Sequence, residues 1–298
     1  MKEIAKYDYI VFSKEFKVFA RGKGEIDKVL QALPKQTPIQ VLEKYRLHFK
    51  IDEEQDSQTM NTYNERIMVF QNFLKKAIGI MELQKKHMKQ MMQARSKHDV
   101  NQIELINALM KYEDVGLAYY SDQDYNKRVL THPKCENLKD RIEENKQKSK
   151  NSYRDSYLWF KGEFLDVQGM YDSLQGREGV MKAQLNTEQK KKDDSKELEK
   201  MQGGKTTMKS LFKSKSQKES KILNLQAAIE IADQEIQDFQ KLIKFLTIYH
   251  GQQAIPKFKL AKYKMYLKTL NLFCVKEISN SHLQATFFHS LLELGEKE

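Results

Sequence analysis

The sequence has few of the residues that break helices or form covalent cross-links. Its 298 residues include four prolines, twelve glycines and two cysteines. Cys135 and Cys274 cannot form a disulfide framework and do not have the spacing of a metal site, which favours a reducing compartment. The scarcity of proline and glycine, together with 31% charged residues and a mean hydropathy of -0.73, predicts long solvated helices rather than a sheet protein.

Long apolar segments are also missing. No apolar run approaches the roughly 18 residues that a transmembrane helix requires, and residues 1–6 do not have the apolar core of a secretory signal. We therefore expect any contact with a membrane to be peripheral. The formal net charge of +11 favours acidic partners, either anionic membranes or nucleic acid. Because no recognised nucleic-acid-reading motif accompanies this charge, we expect no nucleic-acid partner.

The sequence contains no pattern typical of a catalytic or metal site. Its histidines are scattered, and none belongs to a His-Glu-x-x-His motif or to a nucleophile–base set. The run from Gly203 to Thr206 matches the end of a phosphate-binding loop, but that pattern needs a glycine where the chain has Glu199, and a preceding strand. We expect no enzymatic activity, no cofactor and no metal.

Two apolar heptad stripes run through the second half of the chain. Steps of three and four residues place the members of each stripe on one face of a helix, where they pack against other helices. We predict a dimer or core seam formed by Tyr157, Phe160, Phe164, Val167, Tyr171, Ile236, Phe239 and Ile243. Three glycines recur every seven residues on another face, at 162, 169 and 176. We interpret them as sites where a neighbouring helix approaches closely; a membrane-facing surface is the alternative.

The helical pattern predicts an all-α fold with a short first region and three long helices. Residues 1–58 read as a linker with short helices, one of which has Thr37 as N-cap and Pro38 in its first turn. Residues 59–298 form the main domain, with helix 1 over about 60–120, helix 2 over about 133–201 and helix 3 over about 216–294. Gly251 and Pro256 interrupt helix 3, because proline removes a backbone hydrogen bond.

Lysine is concentrated where helix 2 gives way to helix 3. The segment 202–215 contains no acidic residue, and apolar side chains interleave with its lysines. Each basic residue near an anionic bilayer contributes about 1 kcal/mol to binding. We predict a membrane-binding site composed of Lys190, Lys191, Lys192, Lys196, Lys205, Lys209, Leu211, Phe212, Lys213 and Lys215. A solvated helix end is the alternative. A second basic stretch, 257–268, either faces the membrane as well or is a solvated stripe.

Several of these segments resemble the BAR domain of PX-BAR sorting nexins. They are residues 159–170, the lysine-rich segment 204–216, and the region of Ile255, Pro256, Phe258 and Lys259 with Tyr263 and Tyr266 behind it. The resemblance covers about residues 60–294. Residues 12–19 resemble the end of a PX domain, but the Arg-Arg-Tyr/Phe strand that reads phosphates in that domain is not found.

The resemblance implies an elongated antiparallel three-helix coiled coil that dimerises as a crescent, with a second copy or with a related BAR protein. It also implies a cytoplasmic protein, peripheral on endosomal membranes, that binds anionic, phosphoinositide-containing lipid. Such a protein senses or shapes membrane curvature in endosomal sorting and vesicle trafficking. The residues leave one alternative open, a coiled-coil scaffold without membrane affinity.

Overall fold

A computed structural model describes residues 16–17, 36–116, 130–131, 138–202 and 215–295, and these are helical apart from short connections. The α-helices are α1 (Pro38–His48), α2 (Ser57–Val115), α3 (Leu138–Lys148), α4 (Ser152–Gln202), α5 (Lys215–Ile248) and α6 (Ile255–Gly295). A π-helix, Tyr249–Ala254, joins α5 directly to α6. No strand occurs among the described residues, and the predicted all-α fold is confirmed.

The chain divides into two compact units. Unit 1 consists of Met1–Phe70 and Asp172–Pro256, and unit 2 consists of Gln71–Tyr171 and Lys257–Glu298. Helices α2 and α4 contribute residues to both units. Helix α1, which precedes the boundary expected near residue 58, packs against α5 in unit 1.

Helix α1 begins as the sequence predicts. The backbone N–H of Gln40 donates to Thr37 Oγ1 at 3.4 Å, and the backbone N–H of Thr37 donates to Gln40 Oε1 at 3.0 Å. This reciprocal pair is a capping box, and Pro38 occupies the first turn, where its missing N–H costs nothing. The helix is held by Leu42, which is fully buried against Leu242 and Phe245 of α5.

The single long helix predicted over 133–201 is wrong in its first part. The structure has two helices, α3 and α4, separated by Ser149, Lys150 and Asn151, whereas 133–137 lie outside the described residues. The buried amide of Asn280 stabilises the break by pairing with the backbone of Lys150 in both directions. Lys150 N–H donates to Asn280 Oδ1 at 3.1 Å, and Asn280 Nδ2 donates to Lys150 O at 2.9 Å.

The predicted interruption of the third long helix is confirmed, and it takes the form of a π-helix. The backbone N–H of Ile255 donates to the carbonyl of His250, five residues earlier, rather than to the carbonyl four residues earlier. Pro256 follows at once and has no N–H to donate. The wider turn therefore ends the α-helical hydrogen-bond pattern of α5 before the proline. Helix α6 then begins at Ile255, with Pro256 in its first turn.

The three glycines spaced by seven do not admit a neighbouring helix within this chain. A Cβ atom added to Gly162, Gly169 or Gly176 would meet no atom within 4 Å. No described residue of this chain therefore packs closely against these glycines, and the interpretation that they admit a neighbouring helix stays a prediction for contacts with a second chain. A different glycine, Gly251, makes the close approach.

Candidate functional site

The lysines predicted to bind a membrane are only partly placed by the structure. Lys190, Lys192 and Lys196 are exposed on the last turns of α4, whereas Lys191 is half-buried and forms a salt bridge with Asp233 of α5. The charge of Lys191 is thus partly neutralised within the chain. The remaining predicted positions, Lys205, Lys209, Leu211, Phe212 and Lys213, lie outside the described residues, as does the side chain of Lys215 at the start of α5.

The predicted seam on α4 is offset from the stripe that the structure buries. Of the predicted set, Val167 is buried, while Tyr157, Phe160, Phe164 and Tyr171 are only half-buried. The stripe buried within this chain instead includes Ser156, Glu163, Val167, Leu174 and Arg177. Three of these five are polar, so a search for apolar heptads passes over them and selects the adjacent aromatic residues.

Helix α5 shows a similar offset toward its C-terminal end. Ile236, Phe239 and Ile243, the predicted members, are half-buried. Leu242, Phe245 and Ile248 are the buried apolar residues there, and Leu242 and Phe245 form the core cluster with Leu42 of α1. The seam prediction considered α4 and α5 without α1, and the packing of α1 decides which face of α5 is covered.

The polar side chains in the buried stripe have partners. Glu163 forms a salt bridge with Lys262, whose Nζ lies 2.8 Å from Glu163 Oε2. The same ammonium group lies 2.5 Å from Asp166 Oδ2. Burial raises the pKa of Glu163 more than the hydrogen bond and charge of Lys262 lower it. This salt bridge therefore joins α4 to α6. The buried carboxylate of Glu163 needs the ammonium group of Lys262 to remain ionised at low cost.

A heptad stripe of apolar residues is exposed on α6. Leu260, Tyr263, Leu267, Leu270 and Cys274 follow one another at steps of three and four, which we call the α6 stripe. Leu260 is 54% exposed and Tyr263 64%, while Leu267 and Leu270 are 40% and 43% exposed. Cys274 is also exposed. Nothing in the described part of the chain covers this face.

The α6 stripe is distinct from the face with which the same helix contacts its own chain. That other face carries Lys262, Phe273 and Asn280, which contact α4 or the break before it. The ring of Phe273, for example, meets Tyr153 edge-on, with centroids 5.3 Å apart. An amphipathic helix buries one face, whereas α6 has apolar residues on two. From the sequence, Tyr263 was named only within the region that resembles the BAR domain, and the stripe was not predicted.

Unit 2 also has a basic groove on its surface. It has a volume of about 570 Å³. Three lysines of α2, Lys85, Lys86 and Lys89, line it together with one acidic residue, Glu82, and with Tyr157 of α4. Lys85 Nζ lies 4.2 Å from the ring centroid of Phe164, so the ring stabilises this cation. Tyr157 and Phe164, predicted as seam residues, thus border a positively charged surface in the single chain.

The described residues contain neither a membrane-spanning helix nor a metal-binding group. No helix there is long and apolar enough to cross a bilayer. Nor do the described histidine, cysteine, aspartate and glutamate side chains form a group of three or more that could hold a metal ion.

The chain matches no protein-family model, and no curated protein matches its sequence.

Proposed function

We propose that this protein is a peripheral membrane protein that acts as a dimer. Two copies pair through the α6 stripe, and their basic surfaces bind anionic lipid. The observation that carries the proposal is the exposure of the α6 stripe, since leucine and tyrosine at heptad spacing form the contacts of packed helices.

A second helical chain is the occupant that fits the α6 stripe. Steps of three and four residues match the surface of another long helix, and covering the exposed half of each stripe leucine is worth about 1 kcal/mol. Unit 2 has further exposed apolar residues that a partner can cover: Phe73, Ile80 and Leu83 on α2, and Leu158 and Leu165 on α4. A second copy or a related chain supplies such a surface.

The positive charge supports the membrane part of the proposal. Lys190, Lys192 and Lys196 are exposed at the end of α4, and the lysine-rich segment 203–214 follows this helix in the sequence. The basic groove adds Lys85, Lys86 and Lys89, and the stretch 257–268 adds lysines other than Lys262, whose charge is neutralised by Glu163 and Asp166. At about 1 kcal/mol for each lysine near the bilayer, the sum over two copies is sufficient for binding that salt weakens. Curvature sensing and endosomal sorting enter the proposal from the resemblance to PX-BAR sorting nexins.

Vesicle co-sedimentation tests the proposal. The protein is expected to sediment with vesicles that contain phosphatidylserine, to bind poorly to vesicles of phosphatidylcholine alone, and to dissociate at high salt. Replacing Lys205, Lys209 and Lys213 by Glu tests the segment between α4 and α5, and replacing Lys85, Lys86 and Lys89 by Glu tests the basic groove. Each variant that loses binding assigns its lysines to the lipid surface.

The alternative function is a coiled-coil scaffold. The same α6 stripe supports it, because pairing of helices does not require a membrane. A dimer that ignores anionic vesicles at low salt would favour the scaffold and contradict the membrane proposal.

A further inference from the structure

Unit 1 contains a cavity that the proposed function does not use. It has a volume of about 360 Å³ and lies between α1, α4, α5 and the start of the π-helix. Its apolar wall is mainly aromatic, formed by Tyr45, Phe49, Phe245 and Tyr249. Its polar side includes Ser173, Arg177 and His250. Cavities of about 300–1,000 Å³ with apolar walls and a few converging polar groups are typical of small-molecule sites.

Arg177 is a buried cation without a buried counter-ion. Its side chain is only 7% exposed, and its hydrogen bonds go to neutral acceptors: Nε donates to Thr247 Oγ1 at 2.9 Å, and Nη2 donates to Asn64 Oδ1. No carboxylate of the described residues forms a salt bridge with it. Burial lowers the pKa of Arg177 more than the attraction of the exposed Glu178 raises it. An unpaired buried guanidinium is unfavourable, and an anion in the cavity would compensate it.

His250 also lines this cavity, and one of its ring nitrogens has no partner among the described residues. The residue is 2% exposed, and its buried Nδ1 has no hydrogen-bond partner in the described structure. It belongs to the π-helix, a type of turn that occurs frequently at functional sites. The positive charge of Arg177 contributes to lowering the pKa of His250. A buried nitrogen left without a partner costs free energy unless a bound group satisfies it.

We propose that this cavity binds a small organic anion with an apolar body. The carboxylate of the ligand accepts hydrogen bonds from Arg177 and contacts His250, and an aromatic or aliphatic body lies against the rings of Tyr45, Phe49, Phe245 and Tyr249. The charge of the ligand complements Arg177, and the apolar body matches the aromatic wall. This site involves neither the α6 stripe nor the lysines proposed to bind lipid. Ligand binding here is therefore independent of membrane binding.

Access to the cavity is on the side of α4. Ser173 and Gly176 line the cavity and are exposed, so they mark its mouth. A Cβ atom at Gly176 would meet nothing within 4 Å. A larger side chain at Gly176 can therefore narrow the mouth without displacing the backbone.

Phenylbutyrate and phenylbutanol form a matched pair of probes, because they have the same body and differ in the carboxylate. Titration calorimetry on the full-length protein is expected to show one site per chain for phenylbutyrate. Phenylbutanol is expected to bind about tenfold more weakly, since it lacks the charged hydrogen bond to Arg177. Binding of phenylbutyrate is also expected to shift the imidazole resonances of His250. Absence of phenylbutyrate binding, or equal binding of the two probes, would overturn the proposal.

Three variants locate the site. Gly176→Leu is expected to abolish binding by narrowing the mouth, whereas Gly179→Leu, on the same helix with equally open space at its Cβ, should bind as the wild type does. Arg177→Met should remove the preference for phenylbutyrate over phenylbutanol. The glycine variants retain every polar group of the cavity, so they remain informative if Arg177→Met folds poorly. Unchanged binding by Gly176→Leu would place the ligand elsewhere and overturn the proposal.

Discussion

The backbone of Gly251 lies directly against the ring of Tyr63. A Cβ atom on Gly251 would be 2.5 Å from Cγ of that ring, closer than real Cβ contacts come. Arg66, one turn further along α2, donates from Nη1 to the carbonyl of Gly251 at 2.7 Å. The π-helix and α2 are therefore joined at this point by packing and by a hydrogen bond, and the packing requires a residue without a side chain.

Gly251→Ala is expected to destabilise the protein by about 1–3 kcal/mol, because the added methyl group must displace Tyr63 or the backbone. Urea denaturation measures this change. Gly179→Ala is the matched control, since its Cβ has open space and alanine is favoured over glycine within a helix by about 1 kcal/mol. Equal stability of Gly251→Ala and the wild type would contradict the packing described here.

Asn280→Ala is expected to cost about 2 kcal/mol, because it leaves the N–H and carbonyl of Lys150 without their partner beside a buried site. Amide hydrogen exchange at residues 149–151 should accelerate in the variant. Asn271→Ala, an exposed substitution on the same helix, is the control and should leave both stability and exchange unchanged. If both variants behave alike, Asn280 does not stabilise the break between α3 and α4.

His250 should make stability depend on pH. Burial, reinforced by the charge of Arg177, lowers its pKa from 6.5 to about 4. The unfolded chain therefore binds more protons than the folded chain between these two values, so stability should fall as the pH drops through this window. The contribution is at most about 3 kcal/mol. Urea denaturation at several pH values should show a flatter profile for His250→Gln than for the exposed control His282→Gln. A slope that survives in His250→Gln would assign the dependence to other groups.

Lys262→Met should reveal the buried charge of Glu163. Removing the ammonium group 2.8 Å away leaves this carboxylate without its cation, at a cost of about 2–4 kcal/mol near neutral pH. The pKa of Glu163 is already raised by burial, so protonation should relieve the loss as the pH falls through that raised pKa. The double variant Lys262→Met/Glu163→Gln should be less damaged than Lys262→Met alone. Equal losses in the single and double variants would mean that Glu163 does not respond to Lys262.

Local signals in the sequence predicted much of the fold. Thr37 and Pro38 mark the start of α1 because capping depends on a few adjacent residues. Gly251 and Pro256 mark the π-helix because proline cannot donate its share of the helical hydrogen bonds. The break at Lys150 was missed because Asn280, which stabilises it, is distant in the sequence.

The candidate sites were harder to predict from periodicity. The buried stripe of α4 contains Ser156, Glu163 and Arg177, whose burial depends on partners in other helices. The sequence pattern gives no sign that Arg177 is buried, because its hydrogen-bond partners, Asn64 and Thr247, are distant in the sequence. The α6 stripe has a clear heptad pattern, but its significance emerges only when the structure shows that another face of α6 contacts its own chain.

The proposed dimer requires a second chain to cover the α6 stripe. The mass of the purified protein in solution is therefore its most direct test. Sedimentation equilibrium should give twice the single-chain mass of 35.2 kDa for the wild type. Combined Leu267→Glu and Leu270→Glu substitutions should give the single-chain mass, whereas Leu272→Glu, at an exposed leucine on another face of α6, should remain dimeric. A monomeric wild type, or a dimer that persists after both stripe substitutions, would contradict the account.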